Sequence, residues 1–261
     1  MHFKPLLIFI VVFSYACNNH AGSEKIRPAR VINDTTDANP YQHISDIPLP
    51  KGFERPGLAP ESFAAWLRNM KLKKDKTVYL FNGQPKYNQS AQFAVLDFTV
   101  GDMDLQQCAD AVMRLRAEYF FEMKKFDQIL FFDNNNTAYR FSAPYTRENF
   151  SAYLQRVFGM CGSASLSKHL SPVHSFSDIQ AGDVLIRGGF PGHAVIVIDE
   201  AVDSTGRKIY MLAQSYMPAQ DIHVLKNPLN EFLSPWYLVN GRELIQTPEY
   251  TFYATELKKW Q

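Results

Sequence analysis

The chain predicts an α+β protein in which helices pack on an antiparallel sheet. Three observations carry that expectation. Helical periodicity is concentrated before Leu170, short apolar runs bounded by Gly, Asp and Pro fill the last third, and the loops between those runs are too short for crossover helices. Residues 46–261 are read as one such domain.

Taken in order, Pro60 to Met70 (PESFAAWLRNM) sets Phe63, Trp66, Leu67 and Met70 on one helical face. Val78 to Phe81 reads as a strand, and Asn82-Gly83 directly after it as a hairpin turn. Gln92 to Val100 alternates as a second strand, and Leu105 to Met123 is a long helix with Val112, Leu115 and Tyr119 along its core stripe. A short strand at Ile129 to Phe132 leads into the Asp133 to Asn136 loop. Helices follow at Arg147 to Phe158 and Ser163 to Leu170, split at Gly159 to Gly162. Strands are then expected at Asp183 to Ile186, Ala194 to Ile198, Ile209 to Ala213 and Ile222 to Leu225.

Composition narrows the function classes. Hydrophobic residues make up 46% and charged residues 20% of the 261, with 20 Phe and 13 Tyr, which is the make-up of a packed globular protein. A net charge of +1 without a block of one sign gives no support to an electrostatic nucleic-acid or membrane surface. The unbroken apolar run Leu6 to Phe13, behind a basic start, is too short to span a bilayer and suits the core of an export signal. Its Ser14-Tyr15-Ala16-Cys17 ending predicts a lipobox over residues 1–17, with Cys17 acylated and the protein held in the cell envelope, facing the periplasm. Residues 18–45, polar and rich in turn formers, read as a tether. Two cysteines then remain, Cys108 and Cys161. In an oxidising compartment a bridge between them is the structural alternative to any catalytic role.

Candidate chemistry lies in three residues. Cys108 opens the long helix, with Asp102 or Asp104 as the expected cap, where unpaired N–H groups and the helix dipole favour a thiolate. His193 follows a glycine-rich connection, Arg187 to Gly192, and opens an apolar strand. Gln214 ends the next strand. With Asp203 to Gly206 read as an even, four-residue turn, residues 193, 195 and 197 share a sheet face with 212, 214 and 216. The Gln214 amide can then hold one imidazole nitrogen and leave the other for the thiol. Each residue has a plainer reading: a small hydrophobe on a core stripe, and two strand-end side chains bonded to loops. Cys161, between glycines ahead of a short helix, is the rival nucleophile. No His or Cys spacing suggests a metal site, and no cofactor motif is present.

The order of cysteine at a helix start, Gly182-Asp183, Gly192-His193 and a polar residue on the third strand resembles the NlpC and CHAP group of papain-like peptidases and amidases. LQQCADAVMRLRAEY, GGFPGHAVIVID and AQSYMPAQDIHVLKNP more closely resemble a family of bacterial lipoproteins whose domain has no assigned function, over nearly all of residues 50–250. The first resemblance implies a papain-like fold. It also implies Cys108 as nucleophile, His193 as general base and then acid, Gln214 as the orienting residue, and a peptide or cell-wall fragment as substrate of a monomer. Where that group carries Asp-Cys-Ser-Gly, this chain has Gln107-Cys108-Ala109-Asp110. The Cys108 backbone N–H, with Gln106 or Gln107, would face the oxyanion. A non-catalytic envelope protein that binds peptide or glycan is the alternative.

Overall fold

The computed structural model describes residues 38–261. The expected signal segment, Cys17 and residues 18–37 lie outside the described residues. In chain order the elements are β1 (Phe53–Glu54), α1 (Phe63–Arg68), β2 (Gln92–Val95), α2 (Cys108–Glu122), β3 (Leu130–Phe132), β4 (Ala138–Arg140), α3 (Arg147–Met160), α4 (Ser163–His169), β5 (Ser171–Pro172), β6 (Val184–Arg187), β7 (His193–Asp203), β8 (Lys208–Gln214), β9 (His223–Leu225), β10 (Tyr237–Leu238), β11 (Leu244–Gln246), β12 (Thr251–Tyr253) and β13 (Leu257–Lys259).

The architecture is α+β. Nine strands form an antiparallel sheet whose main path is β2-β9-β8-β7-β6-β13-β5, with β1 added to β7 and β10 to β8. Strand β7 is central, and its first nine residues are buried. Ala194, Ile196 and Ile198 enter one apolar cluster, shared with α1 to α4, while Val195 and Val197 enter a second on the opposite face. A strand buried on both faces reads as a continuous apolar run, which is why this segment showed no alternation. Helix α2 packs on the first face. Leu115, fully buried there, would cost about 2–5 kcal/mol if cut to alanine.

Several expected boundaries move. The Val78 to Phe81 strand is replaced by two isolated bridges, Tyr79 with Pro85 and Leu80 with Gln220. The Asn82-Gly83 turn is nevertheless made, with Gly83 at φ +79°. Residues 38–45, expected in the tether, belong to the packed body: the Asn39 amide donates to the Lys73 carbonyl at 2.9 Å and Ile44 is fully buried. The hairpin partner of β3 and the short strands β10 to β13 had no separate periodic signal, since two or three residues cannot establish a period.

The β7–β8 register rests on two departures that cancel. The turn is odd rather than even: Asp203 N–H donates to the Arg207 carbonyl at 3.0 Å, leaving three loop residues, and Gly206 takes φ +86°, which glycine adopts without strain. Pairing then runs Val202 with Lys208 and Asp199 with Met211, but beyond a bulge at Ile198 it becomes Val197 with Leu212 and Ile196 with Ala213. The extra residue restores at the His193 end the register that an even turn would have produced.

Candidate functional site

Helix α2 begins at Cys108 itself, three residues later than expected. Gln107 is the N-cap, and its backbone N–H donates to Asp110 Oδ2 at 2.9 Å, closing the first turn. Of the two expected caps, Asp104 does other work. Asp104 Oδ1 accepts from the Ala219 N–H at 2.6 Å and from the Gln107 amide at 3.2 Å, tying the loop before α2 to the loop after β8.

The approach to His193 is set by close packing. A Cβ on Gly192 would lie 2.2 Å from Ser163 Oγ and 2.6 Å from the Gly189 carbonyl, so only glycine lets the start of α4 sit against this loop. Ser163 Oγ donates to that same carbonyl at 3.3 Å.

The structure pairs His193 with Gln214 and brings Cys108 to the backbone next to His193. The Cys108 sulfur faces the Ala194 backbone N–H, one residue along from His193. His193 Nε2 and Gln214 Oε1 are 2.9 Å apart, and all three side chains are buried. An amide can point either way, but its neighbours here decide. Gln214 Nε2 lies 2.9 Å from Glu249 Oε2, an acceptor only, and 3.5 Å from His223 Nε2. His223 Nδ1–H donates to the Asp221 carbonyl at 2.9 Å, so its Nε2 presents a lone pair. The Gln214 nitrogen therefore faces Glu249 and its oxygen faces His193. His193 Nε2 must then carry the proton, and Nδ1, which makes no hydrogen bond among the described residues, holds a free lone pair.

Glu249 is in turn pinned by Lys86 Nζ at 2.5 Å and Asn88 Nδ2 at 3.1 Å. Around the imidazole stand the rings of Tyr216, Tyr250 and Phe252, with centroids at 4.7, 4.8 and 5.7 Å. Tyr216 also faces the thiol. Burial, and then the charges of Glu249 and Cys108, raises its hydroxyl above the ordinary range. Sequence reasoning assigned no role to Lys86, Tyr216, His223 or Glu249. Only Tyr216 carried a signal, its place on the shared face.

Electrostatics corrects the expected thiolate. Burial pushes the Cys108 thiol up, outweighing the N–H groups of Ala194, Ala109 and Cys108 that pull it down. Burial also lowers His193 to about 4, against the Gln214 hydrogen bond that raises it. At rest the Cys108 thiol and the His193 imidazole are both neutral. Burial likewise keeps the Asp110 carboxyl well above its usual range, and its Oδ1 is unpartnered.

The rival cysteine is unsuited to attack. Cys161 caps the C-terminus of α3, and its thiol is raised to about 12 by burial, then by Asp133 and Asp110. Both cysteines are free, so the Cys108–Cys161 bridge is not formed. The suggested oxyanion glutamines are engaged elsewhere. The Gln106 amide nitrogen donates to the Gln220 carbonyl at 3.2 Å while its oxygen accepts from Arg114, and the Gln107 amide donates to Asp104. Among the described residues no three His, Cys, Asp or Glu side chains converge as metal ligands. Nor is any helix among them long and apolar enough to cross a membrane.

Fold and site together define an α+β domain that brings a helix-opening thiol, an oriented imidazole and an amide to one end of a central strand. By family the chain belongs to DUF4846, a domain of unknown function, whose model matches residues 44–145 and 132–259. No curated protein and no solved structure matches it.

Proposed function

We propose that the protein is a papain-like cysteine hydrolase of peptide or cell-wall amide bonds, related to the NlpC and CHAP group and held in the cell envelope through a lipid on Cys17. One observation carries the reading: Glu249 and His223 fix the Gln214 amide so that His193 keeps Nε2 protonated and Nδ1 free, while the Cys108 sulfur lies at the backbone N–H of the next residue, Ala194. A nucleophile with a positioned base and an orienting third group is the arrangement acyl transfer requires.

With both partners neutral, the proton moves during attack. His193 Nδ1 takes the thiol proton as sulfur bonds to the amide carbonyl carbon. The imidazolium then protonates the leaving nitrogen as the C–N bond breaks, leaving a thioester. Water, deprotonated by the same nitrogen, attacks that carbonyl and releases the acid and the Cys108 thiol. The backbone N–H groups at the start of α2 and the Tyr216 hydroxyl, which makes no hydrogen bond among the described residues, are the donors available to the oxyanion. The monomer would act on peptides or cell-wall fragments, facing the periplasm.

The test is alkylation. Iodoacetamide on the native protein at pH 7, mapped by mass spectrometry, should modify Cys108 and spare Cys161, and the rate should hold steady from about pH 5 to 8 because His193 is already deprotonated there. Labelling of Cys108 only above pH 9, unchanged in His193→Ala, would sink the hydrolase. The second reading, a non-catalytic envelope protein that binds peptide or glycan, is favoured by the burial that raises the Cys108 thiol. It requires that same negative result. For the anchor, Cys17→Ser should release the protein from membranes, and continued retention would refute lipidation there.

A further inference from the structure

Five arginines among the described residues are neither exposed nor fully buried: Arg55, Arg68, Arg114, Arg116 and Arg187. Four of them pair with carboxylates, Arg55 and Arg68 with Asp199, Arg114 with Glu118, and Arg187 with Glu256. Among the described residues Arg116 meets no carboxylate and makes no hydrogen bond. Its guanidinium sits over the rings of Phe120, Phe63, Trp260 and Tyr119, at 4.4, 4.8, 5.3 and 5.6 Å. Aromatic faces attract a cation, but they offer no acceptor to its five N–H groups.

This guanidinium lines a cavity of about 310 Å³ walled by Met113 and Phe120 of α2, Leu130 and Phe132 of β3, and Leu166 of α4. Two further wall residues are also unsatisfied. His169, stacked on Phe132 at 4.4 Å, leaves Nε2 without a partner, and Trp260 leaves its indole N–H without an acceptor. A chamber walled by apolar side chains together with Gln128, His169 and Gln261, and holding one unpaired cation, has the make-up of a small-molecule site, at the lower end of the usual size range of about 300–1,000 Å³. None of the Cys108, His193 and Gln214 constellation lines it.

We infer that this cavity binds a monocarboxylate with an apolar body, an aryl or short alkyl acid, whose carboxylate pairs with Arg116 while its body fills the space between α2, β3 and α4. Among the described residues Arg116 is the only Lys or Arg on the wall, and its fork matches a single carboxylate in a bidentate pair. A phosphate dianion would bring more charge than one guanidinium balances. The acid could be free or the carboxyl end of a peptide whose last side chain is apolar.

The experiment is calorimetric titration of the full-length protein with 3-phenylpropanoate and octanoate, each against its neutral amide, and with the dipeptide Ala-Phe against Ala-Phe amide. At least one acid should bind on the order of 10-fold more tightly than its amide, the worth of a charge-assisted hydrogen bond. Arg116→Met should erase that preference. Tighter binding of 3-phenylpropanoate assigns a free acid as the source, and tighter binding of Ala-Phe assigns a peptide end. Either supports the site. Equal affinity for every acid and its amide, no binding of any probe at millimolar concentration, or an acid preference surviving in Arg116→Met would each overturn it. Should Arg116→Met fail to fold, the acid-to-amide ratio of the native protein decides alone. Titration of Cys108→Ser, which leaves this wall intact, separates the inference from the hydrolase reading.

Discussion

The two stretches of strand β7 hold buried titratable groups in opposite ways. Past the bulge, Asp199 is fully buried, and each of its oxygens accepts from an arginine, Arg55 Nε and Arg68 Nε, both at 2.7 Å. Those arginines also donate to the Ile47 and Pro56 carbonyls at 2.8 and 2.9 Å, stapling the segment around α1 to the sheet. At the start of the strand His193 is equally secluded, yet it has one neutral partner on one nitrogen and none on the other. A buried group whose valences are all filled serves the fold. One held firmly on one side and left open on the other is free to exchange a proton.

Substitutions at the two stretches should therefore separate chemistry from stability. The largest effect is expected from His193→Ala, where Cys108 alkylation at pH 7 should slow on the order of 10²–10⁴-fold with little loss of helical circular dichroism. A rate within a factor of two of the parent would place His193 with the structural residues. Next comes Asp199→Ala, which strands two partly buried cations. Urea unfolding should report a loss of about 3–5 kcal/mol, while alkylation of the folded fraction stays at the parental rate. A change below about 1 kcal/mol would show that the arginine clasp contributes no more than an exposed ion pair.

Acidification sharpens the contrast further. His193 is depressed to about 4 from 6.5, so the unfolded chain binds its proton first. The stability it contributes is complete above about pH 6.5 and is lost as the pH falls toward 4. His193→Phe should remove that dependence, the parent losing up to about 1.4 kcal/mol per pH unit relative to the variant across this window. Parallel urea midpoints for the two proteins from pH 7 to 4.5 would contradict the depressed imidazole. The smallest effect is expected of Glu249→Gln. An amide there can donate as well as accept, so Gln214 is free to turn, and Cys108 alkylation should fall on the order of 10-fold. An unchanged rate would mean that the Gln214 orientation does not depend on Glu249.

Much of the candidate site was legible because its signals are local. A cysteine after a turn-rich stretch and ahead of a helical period, and a histidine between glycines and an apolar run, are read within a dozen residues. The shared face of His193 and Gln214 was also anticipated, though by a four-residue turn the protein does not make. The three-residue loop closed by Gly206 and the bulge at Ile198 each shift the register by one, and parity survives. Neither feature had a period to betray it. Boundaries fared worse where short strands depend on partners: β1 and β13 exist because β7 and β6 offer them a ladder.

From the sequence alone come the helices, the central apolar strands and the thiol, imidazole and amide, since each follows from spacing along the chain and from backbone sterics. The tertiary structure alone decided how those groups are charged and which way they point. Glu249 reaches Gln214 from 35 residues after it, and Lys86, 128 residues before Gln214, holds Glu249 in place. Burial by the whole fold overrides the helix dipole at Cys108. Desolvation and long-range hydrogen bonding depend on what surrounds a residue in space, and no window of sequence contains that.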